Sequence, residues 1–574
     1  MELNEILKGA FEKAYPGEDF SGVRVVPATD PKFGDYQCND ALKFAMRFHA
    51  NPREVGAKVA GALEGNGVFE KVEIAGPGFL NLTVSAAWLN ARLADLKAQP
   101  QCGIPQSGVG KKVVIDYSSP NAAKQMHIGH IRSTVIGNAL DRIFRSLGYD
   151  VIADNHLGDW GTQFGILIKG YRELLTQEER DNLSVPYLEK CYVLSAAKAK
   201  GEDEASKAWK EACKAELVKL QQGDPDNQAL WKRFIDISIG EFNRMYAKLG
   251  VRFDTYRGES YYNDTMPGVV ERLREMGLAV ESDGALVVNL EDEKLGVAIV
   301  RKSDGGYNYT TSDLACVKMR TEEYHPERMI YVTDARQQLH FRQWFSIAAK
   351  MGYTSKLVHV PFGLMSYQGK AISTREGNLI KLDELLSEAV RRSLAIVRSR
   401  RNADAEPSPA QAEEDEALAR AIGIGAVKYS DLSHDPITDI DFSWDKALAL
   451  EGNSGPYLQY AYARVCSLLD KPEASAGDGT GTGFAVATPT EKRLALQLLE
   501  FPGAVVRAAE AYKPSVLADY LFQTAQLYSS FYQNSPILKS EDSVKFARLR
   551  LCALFGEILK TGLGLLGIET PRHI

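Results

Sequence analysis

The stretch from residue 112 to 154 constrains the fold most. KKVVIDY is a short β-branched run, and it is closed by the turn formers Ser118, Ser119, Pro120 and Asn121. Apolar residues then recur at helical spacing (Ile128, Ile131, Val135, Ile136, Leu140, Ile143, Phe144, Leu147) and stop at Gly148. A second apolar run, DVIADN, follows at 150–155. Runs of this kind suit parallel strands buried on both faces, and strand, helix, strand in succession is a βαβ unit. Open α/β sheets bind ligands beyond the carboxyl ends of their strands. SSPNAAKQMHIGHIRST (118–134) therefore lies where chemistry is expected.

Within that string stands His127-Ile128-Gly129-His130. With 9 histidines and 48 glycines in 574 residues, chance supplies an H-x-G-H about 0.01 times, so the match carries information. Its place at a helix N-terminus adds roughly half a positive charge toward a bound phosphate. Gly129 leaves the backbone open to a flat base or ribose, and both imidazoles can donate hydrogen bonds to a phosphoryl group as charge builds on it. The competing reading is two capping histidines with no ligand.

The chain is too long for one core, and no repeat or low-complexity signature breaks its enzyme-like composition. The formal charge of −7 argues against indiscriminate DNA binding and leaves room for an RNA held by local basic patches. Seven scattered cysteines with no C-x-x-C pair argue against a disulfide framework or structural zinc and favour a reducing compartment. The acidic, amphipathic N-terminus lacks a signal or transit pattern, and no segment approaches a membrane span, so the cytoplasm is expected. Four regions follow. Residues 1–107 hold an α+β unit and a linker, and 108–400 an α/β domain with a charged helical insertion at about 170–250. Residues 401–440 form a polar, Pro-containing break and stem, and 441–574 a helical bundle. A second βαβ half begins at RMIYVTDA and ends at KLVHVPFG.

IDYSSPNAAKQMHIGHIRST resembles the first signature of the class I aminoacyl-tRNA synthetases, and its SPN…AK…MHIGH form is similar to the arginyl-tRNA synthetase family. HLGDWGTQFG (156–165) resembles a second hallmark of that family. Taken alone it reads as a turn with Trp160 and Phe164 in the core, leaving Asp159 and Gln163 open. GKAISTREGN (369–378) stands where the class carries its KMSKS loop, but Ala371 and Thr374 replace the two lysines. The resemblance assigns Gly129, Lys370, Ser373, Thr374 and Arg375 to ATP, and His127 and His130 to catalysis. Lys124 would supply the missing loop charge, with Lys370 and Arg375 as alternatives.

An arginine side chain calls for carboxylates in bidentate reach and an aromatic wall. By resemblance Asp116, Tyr309 and Asp313 read the guanidinium, Ser119 and Asn121 the amino-acid head, and Gln337 another part of the substrate. Helix capping or surface ion pairing is the alternative for both aspartates, and His340 reads as structural. EGNSGPYLQYAYARVCSLL (451–469) opens the implied anticodon-binding domain, with Tyr457, Gln459, Tyr460 and Arg464 placed for RNA; a tyrosine stripe in a bundle is otherwise core. The basic run RRSLAIVRSRR is either a phosphate-contacting stem or a solvated helix face. The N-terminal unit, with FGDYQCN, resembles the family's extra domain that contacts the tRNA elbow.

The implied whole is a Rossmann-type α/β catalytic domain between an α+β N-terminal domain and an all-α bundle. It would ligate arginine to tRNA with ATP as substrate, magnesium bound to the ATP, and no resident metal. The chain is expected to act as a monomer without membrane or DNA. The rivals are a non-catalytic tRNA-binding paralogue, for which the missing lysines speak, and another class I synthetase.

Overall fold

Four parallel strands position the site: β1 (Lys112–Asp116), β2 (Asp150–Asp154), β3 (Arg328–Asp334) and β4 (Lys356–Phe362), side by side in the order β4–β3–β1–β2. The chain leaves β1 toward β2 on one side and later returns to β3 on the other, so a topological switch lies between β1 and β3. Asp116, the last residue of β1, is in register with Tyr331 of β3 and Asp154 of β2. The computed structural model describes residues 2–367, 370–371, 381–400, 408–475 and 483–574, with the backbone alone at 370 and 371.

Helix α1 (Ile128–Ser146) crosses from β1 to β2. It is buried on nearly every side, including Arg132, Ser133, Thr134, Asn138 and Asp141, so it runs through the interior rather than over the surface. Helices from Thr162 to α2 (Pro225–Leu249) form the insertion. A separate three-stranded antiparallel sheet spans residues 279–301, and then α3 (Tyr309–Tyr324) leads into β3. The N-terminal domain lays helices on a four-stranded antiparallel sheet and rests on the bundle. There Lys492 Nζ meets Asp35 Oδ2 at 2.9 Å, and the N–H of Val486 donates to Asn90 Oδ1 at 3.0 Å.

The stem departs from the polar break expected at 401–416. Helix α4 (Leu382–Arg400) packs on α5 (Pro409–Leu432), which starts inside that stretch. Ser408 accepts from the N–H of Gln411 at 3.3 Å and Pro409 occupies the first turn, so the Ser-Pro pair is a helix start rather than a break.

Two buried cations tie this stem to the catalytic domain. Arg132 of α1 pairs with Asp431 of α5 and donates to the carbonyls of Gly363, Pro436 and Thr438 at 2.8–3.1 Å. Lys428 of α5 donates to the carbonyls of Leu249 and Gly567, the ends of α2 and of the last helix, α7 (Asp542–Leu565), after α6 (Gly455–Leu469). Arg142 reaches the same helix ends through Gly250 and Gly564. Cations on helix carboxyl ends meet both unpaired carbonyls and the helix dipole.

Candidate active site

Three residues of the loop from β1 to α1 hold left-handed backbone without being glycine: Ser118 (φ 72°), Ser119 (φ 46°) and Ala123 (φ 62°). Such conformations cost about 1–3 kcal/mol each and persist only where neighbours fix them. The N–H of Ser118 donates to Ser133 Oγ (2.9 Å), and its Oγ bonds Thr134 and Tyr246 at 2.8 Å each. The N–H of Ser119 donates to Asn155 Oδ1 (3.1 Å), and that of Ala123 to Ser238 Oγ (2.9 Å). SSPN is thus held by α1 and α2 at once.

A second loop clamps it from the side. Asn121 and Gly158 pair in a parallel bridge, with the N–H of Ala122 donating to Gly158 (3.1 Å) and that of Gly158 to Pro120 (3.2 Å). A Cβ at Gly158 would lie 2.1 Å from Asn121 Oδ1, so only glycine permits this approach. Asp159 accepts from Ser260 N–H (2.8 Å) and Oγ–H (2.6 Å), and Gln163 donates to the carbonyl of Gly158 (3.1 Å). Both positions left open in HLGDWGTQFG are fasteners. Phe164 is fully buried and Trp160 packs edge-on against Trp231, the core roles expected of them.

His127 is the N-cap of α1. Its own N–H donates to His130 Nδ1 (3.0 Å), while His127 Nδ1 accepts from the N–H of Gly129 (3.1 Å). Each Nδ1 is an acceptor, so each ring carries its proton on Nε2 and is neutral. Burial, with the charge of Lys124 nearby, pushes His127 down to about 4; burial, then His127 and Lys124, pushes His130 down to about 3. The pair caps a helix as the bland reading held, and it also presents two fixed N–H donors at the sheet edge. A Cβ on exposed Gly129 would stand 2.9 Å from the His127 ring.

Asp116 requires a correction. Its Oδ2 receives Arg320 Nη2 at 2.7 Å, the same nitrogen that meets Asp154 Oδ2 at 2.5 Å, and its Oδ1 accepts from Ser119 Oγ at 3.0 Å. This carboxylate already has a guanidinium, from its own chain, and is buried with it. A different acidic pocket lies at the start of α3. Asp313 is half-buried and hydrogen-bonded to His340 Nε2 at 2.6 Å, so His340 is the fastener expected, and Tyr309 stands exposed one turn earlier.

Glu259, absent from the sequence reading, faces them. Burial, opposed by His156 and reinforced by the like charges of Asp159 and Asp313, pushes its carboxyl up to about 7. Its own N–H is tied to Leu157 (3.0 Å), and the turn before it is closed by Gly258, where a Cβ would run into the Asp159 carboxylate. A single acid in the turn RGES carries no periodic signal, and 54 residues of chain separate it from Asp313.

Lys124 is half-buried, with its Nζ 5.0 Å from the centre of the Tyr192 ring. Ser373, Thr374 and Arg375 lie outside the described residues, as does the side chain of Lys370, whose backbone pairs with Tyr367. Beyond them the chain returns to the histidines: Lys381 bridges to His127, and the N–H of Leu382 donates to Met126 at 2.9 Å. Gln337 is exposed on the turn after β3.

In the bundle Gln459 also requires correction. It is fully buried, and its amide donates to the carbonyls of Ala421 (2.9 Å) and Glu569 (2.8 Å), which withdraws it from any RNA. Tyr460 is half-buried between Arg464 (5.0 Å) and Arg400 (5.6 Å), Tyr457 bonds Ser529, and Tyr462 is core. Of the basic run, Arg391 and Arg392 are taken by Glu388.

Three family models tile the chain: an arginyl tRNA synthetase N-terminal domain over residues 1–84, a class I (R) tRNA synthetase catalytic domain over 93–444, and a DALR anticodon binding domain over 458–574. An arginine–tRNA ligase of Fusobacterium nucleatum is 42% identical over 99% of this chain and 98% of its own length. One of Chromobacterium violaceum is 43% identical over the same shares. The crystal structure of arginyl-tRNA synthetase from Plasmodium falciparum superposes with a TM-score of 0.83 at 26% identity, covering all of this chain and 98% of that one.

Proposed function

The chain belongs to the arginyl-tRNA synthetases of class I, and from that premise we propose how its site performs the ATP-dependent ligation of arginine to tRNA. The observation that carries the reading is the joint presence, at one sheet edge, of two neutral imidazoles with free Nε2–H groups and an unneutralised acidic pocket. ATP lies across Gly129, with its phosphates toward His127, His130 and the N-terminus of α1. The arginine carboxylate attacks the α-phosphate in line and pyrophosphate leaves. Charge building on the phosphoryl oxygens is met by the two Nε2–H groups and by the ammonium of Lys124. A terminal ribose hydroxyl of the tRNA then takes the arginyl group and releases AMP. No side chain forms a covalent intermediate; the site supplies position and fixed charge.

Asp313 and Glu259 take the guanidinium, and Tyr309 forms the wall beside it. Asp116, spent on Arg320, acts instead through Ser119 to hold the loop that carries Asn121 toward the amino-acid head. Gln337 reaches the substrate from the β3 turn. Magnesium comes with ATP, and among the described residues no cluster of three or more His, Cys, Asp or Glu is arranged to hold a metal. Tyr457, Tyr460 and Arg464 contribute to tRNA binding, and the stretch Lys370–Arg375 to the ATP phosphates. The enzyme works as a monomer in the cytoplasm.

The test is ATP–pyrophosphate exchange with each of the twenty amino acids, with and without tRNA. Exchange dependent on arginine, and on tRNA as the family implies, is expected. No exchange under any condition overturns the reading.

A further inference from the structure

The lysine that stands in for the missing loop charge is aimed from outside the catalytic sheet. Lys124 Nζ makes no hydrogen bond or ion pair among the described residues, although the side chain is half-buried. A free lysine side chain would spread its charge over many rotamers, and fixing it costs up to about 2 kcal/mol. Two anchors reduce that freedom, and both come from the helical insertion. At the backbone, Ala122 and Ala123 are buried among Phe164, Leu167 and Leu188 of the insertion, and Ser238 of α2 accepts the N–H of Ala123, whose φ of 62° sets the direction in which the next residue leaves. At the tip, the ammonium rests over the ring of Tyr192, on the insertion helix Val185–Lys198. In that position its charge is felt by both His127 and His130.

We infer that Tyr192 is a positioning residue: its ring holds the Lys124 ammonium beside the histidine pair, which makes the helical insertion part of the phosphate site. The inference rests on the reading of Lys124 as the substitute for the loop lysines. A cation over a tyrosine face gains about 0.5–1 kcal/mol when exposed and about 2 when desolvated, enough to select one rotamer family and too little to prevent the ammonium from moving onto phosphate oxygens when ATP binds. The ring does this through its π face. Its hydroxyl is not required.

Arginine-dependent ATP–pyrophosphate exchange in the presence of tRNA tests it. Tyr192→Leu should lower kcat about 5- to 30-fold, the rate equivalent of 1–2 kcal/mol, with KM for arginine unchanged. Tyr192→Phe, which keeps the ring, should restore the rate. In a Lys124→Ala background Tyr192→Leu should add nothing further, because the charge it positions is gone. Wild-type kcat in Tyr192→Leu, failure of Tyr192→Phe to restore it, or an equal loss in the Lys124→Ala background each overturns the inference. Wild-type kinetics in Lys124→Ala alone would instead overturn the underlying reading of Lys124, and this is a separate measurement.

Discussion

Arginine does opposite work in the two halves of the molecule. Beneath the sheet edge, Arg320 is fully buried and forks between Asp116 and Asp154; a short way along α1, Arg132 is fully buried and spends its donors on Asp431 and three carbonyls. At the bundle, Arg400 and Arg464 sandwich Tyr460, and Arg464 also lies 5.5 Å from the Tyr532 ring. The buried pair gives up hydration and recovers it only through fixed, charge-assisted bonds, so it defines where backbone and carboxylates sit. The outer pair stays hydrated, pays little, and keeps guanidinium edges available to a partner. Rigidity is placed where a reacting phosphate has to be met, and adaptability where a nucleic acid has to be received.

The largest effect that would break this contrast lies at Arg320. Arg320→Met leaves Asp116 and Asp154 buried without a counter-charge, so the loss should be about 3–5 kcal/mol in urea unfolding, with exchange activity lost alongside it. Arg400→Met should change stability by less than about 1 kcal/mol. Comparable losses at the two positions would erase the distinction.

Next comes the acidic pocket. Asp313→Asn keeps the shape and removes the charge that a guanidinium would pair with. KM for arginine should rise about 10- to 150-fold, the equivalent of 1.5–3 kcal/mol for a charged hydrogen bond. KM for ATP should not follow it, and an unchanged KM for arginine would remove Asp313 from recognition. Glu259 adds a pH dependence. Its carboxyl is pushed up to about 7, so it is neutral below that pH and anionic above it. kcat/KM for arginine should therefore fall as pH drops from 8 to 6, about tenfold per unit at the steepest, and Glu259→Gln should flatten the profile. His127 and His130, held near 4 and 3, stay neutral over that range and contribute no slope.

How much of this was legible in the sequence follows the distance over which each interaction acts. The βαβ unit, the capping histidines and the insertion helices are written in local periodicity and turn residues, and they stand in the structure as read. Partners far apart in the chain are not written anywhere locally. Arg320 lies 204 residues from Asp116, so the aspartate looked available when it was already paired. Arg132 interrupts an apolar helix, a signal of a buried charge that only the stem helix makes intelligible. Gln459 failed differently: in a bundle helix packed on several sides, sequence spacing does not say which polar residue faces outward, and this one turns in to cap two stray carbonyls.

The smallest expected effect discriminates best between the two kinds of position on α6, Gln459 and Arg464. Gln459→Leu should cost about 1–3 kcal/mol of stability, because the carbonyls of Ala421 and Glu569 lose their donors, while KM for tRNA stays put. Arg464→Ala should do the reverse. Its guanidinium is held by ring faces rather than by a carboxylate, so truncation costs about 0.5–1 kcal/mol of stability at most. If the guanidinium meets a tRNA phosphate, affinity should fall about fivefold and the slope of log affinity against log salt should shrink by about one. A salt slope that does not change would make Arg464 a packing residue like its neighbour Gln459, and would move the RNA-facing surface of the bundle to Tyr457 and the helices that flank it.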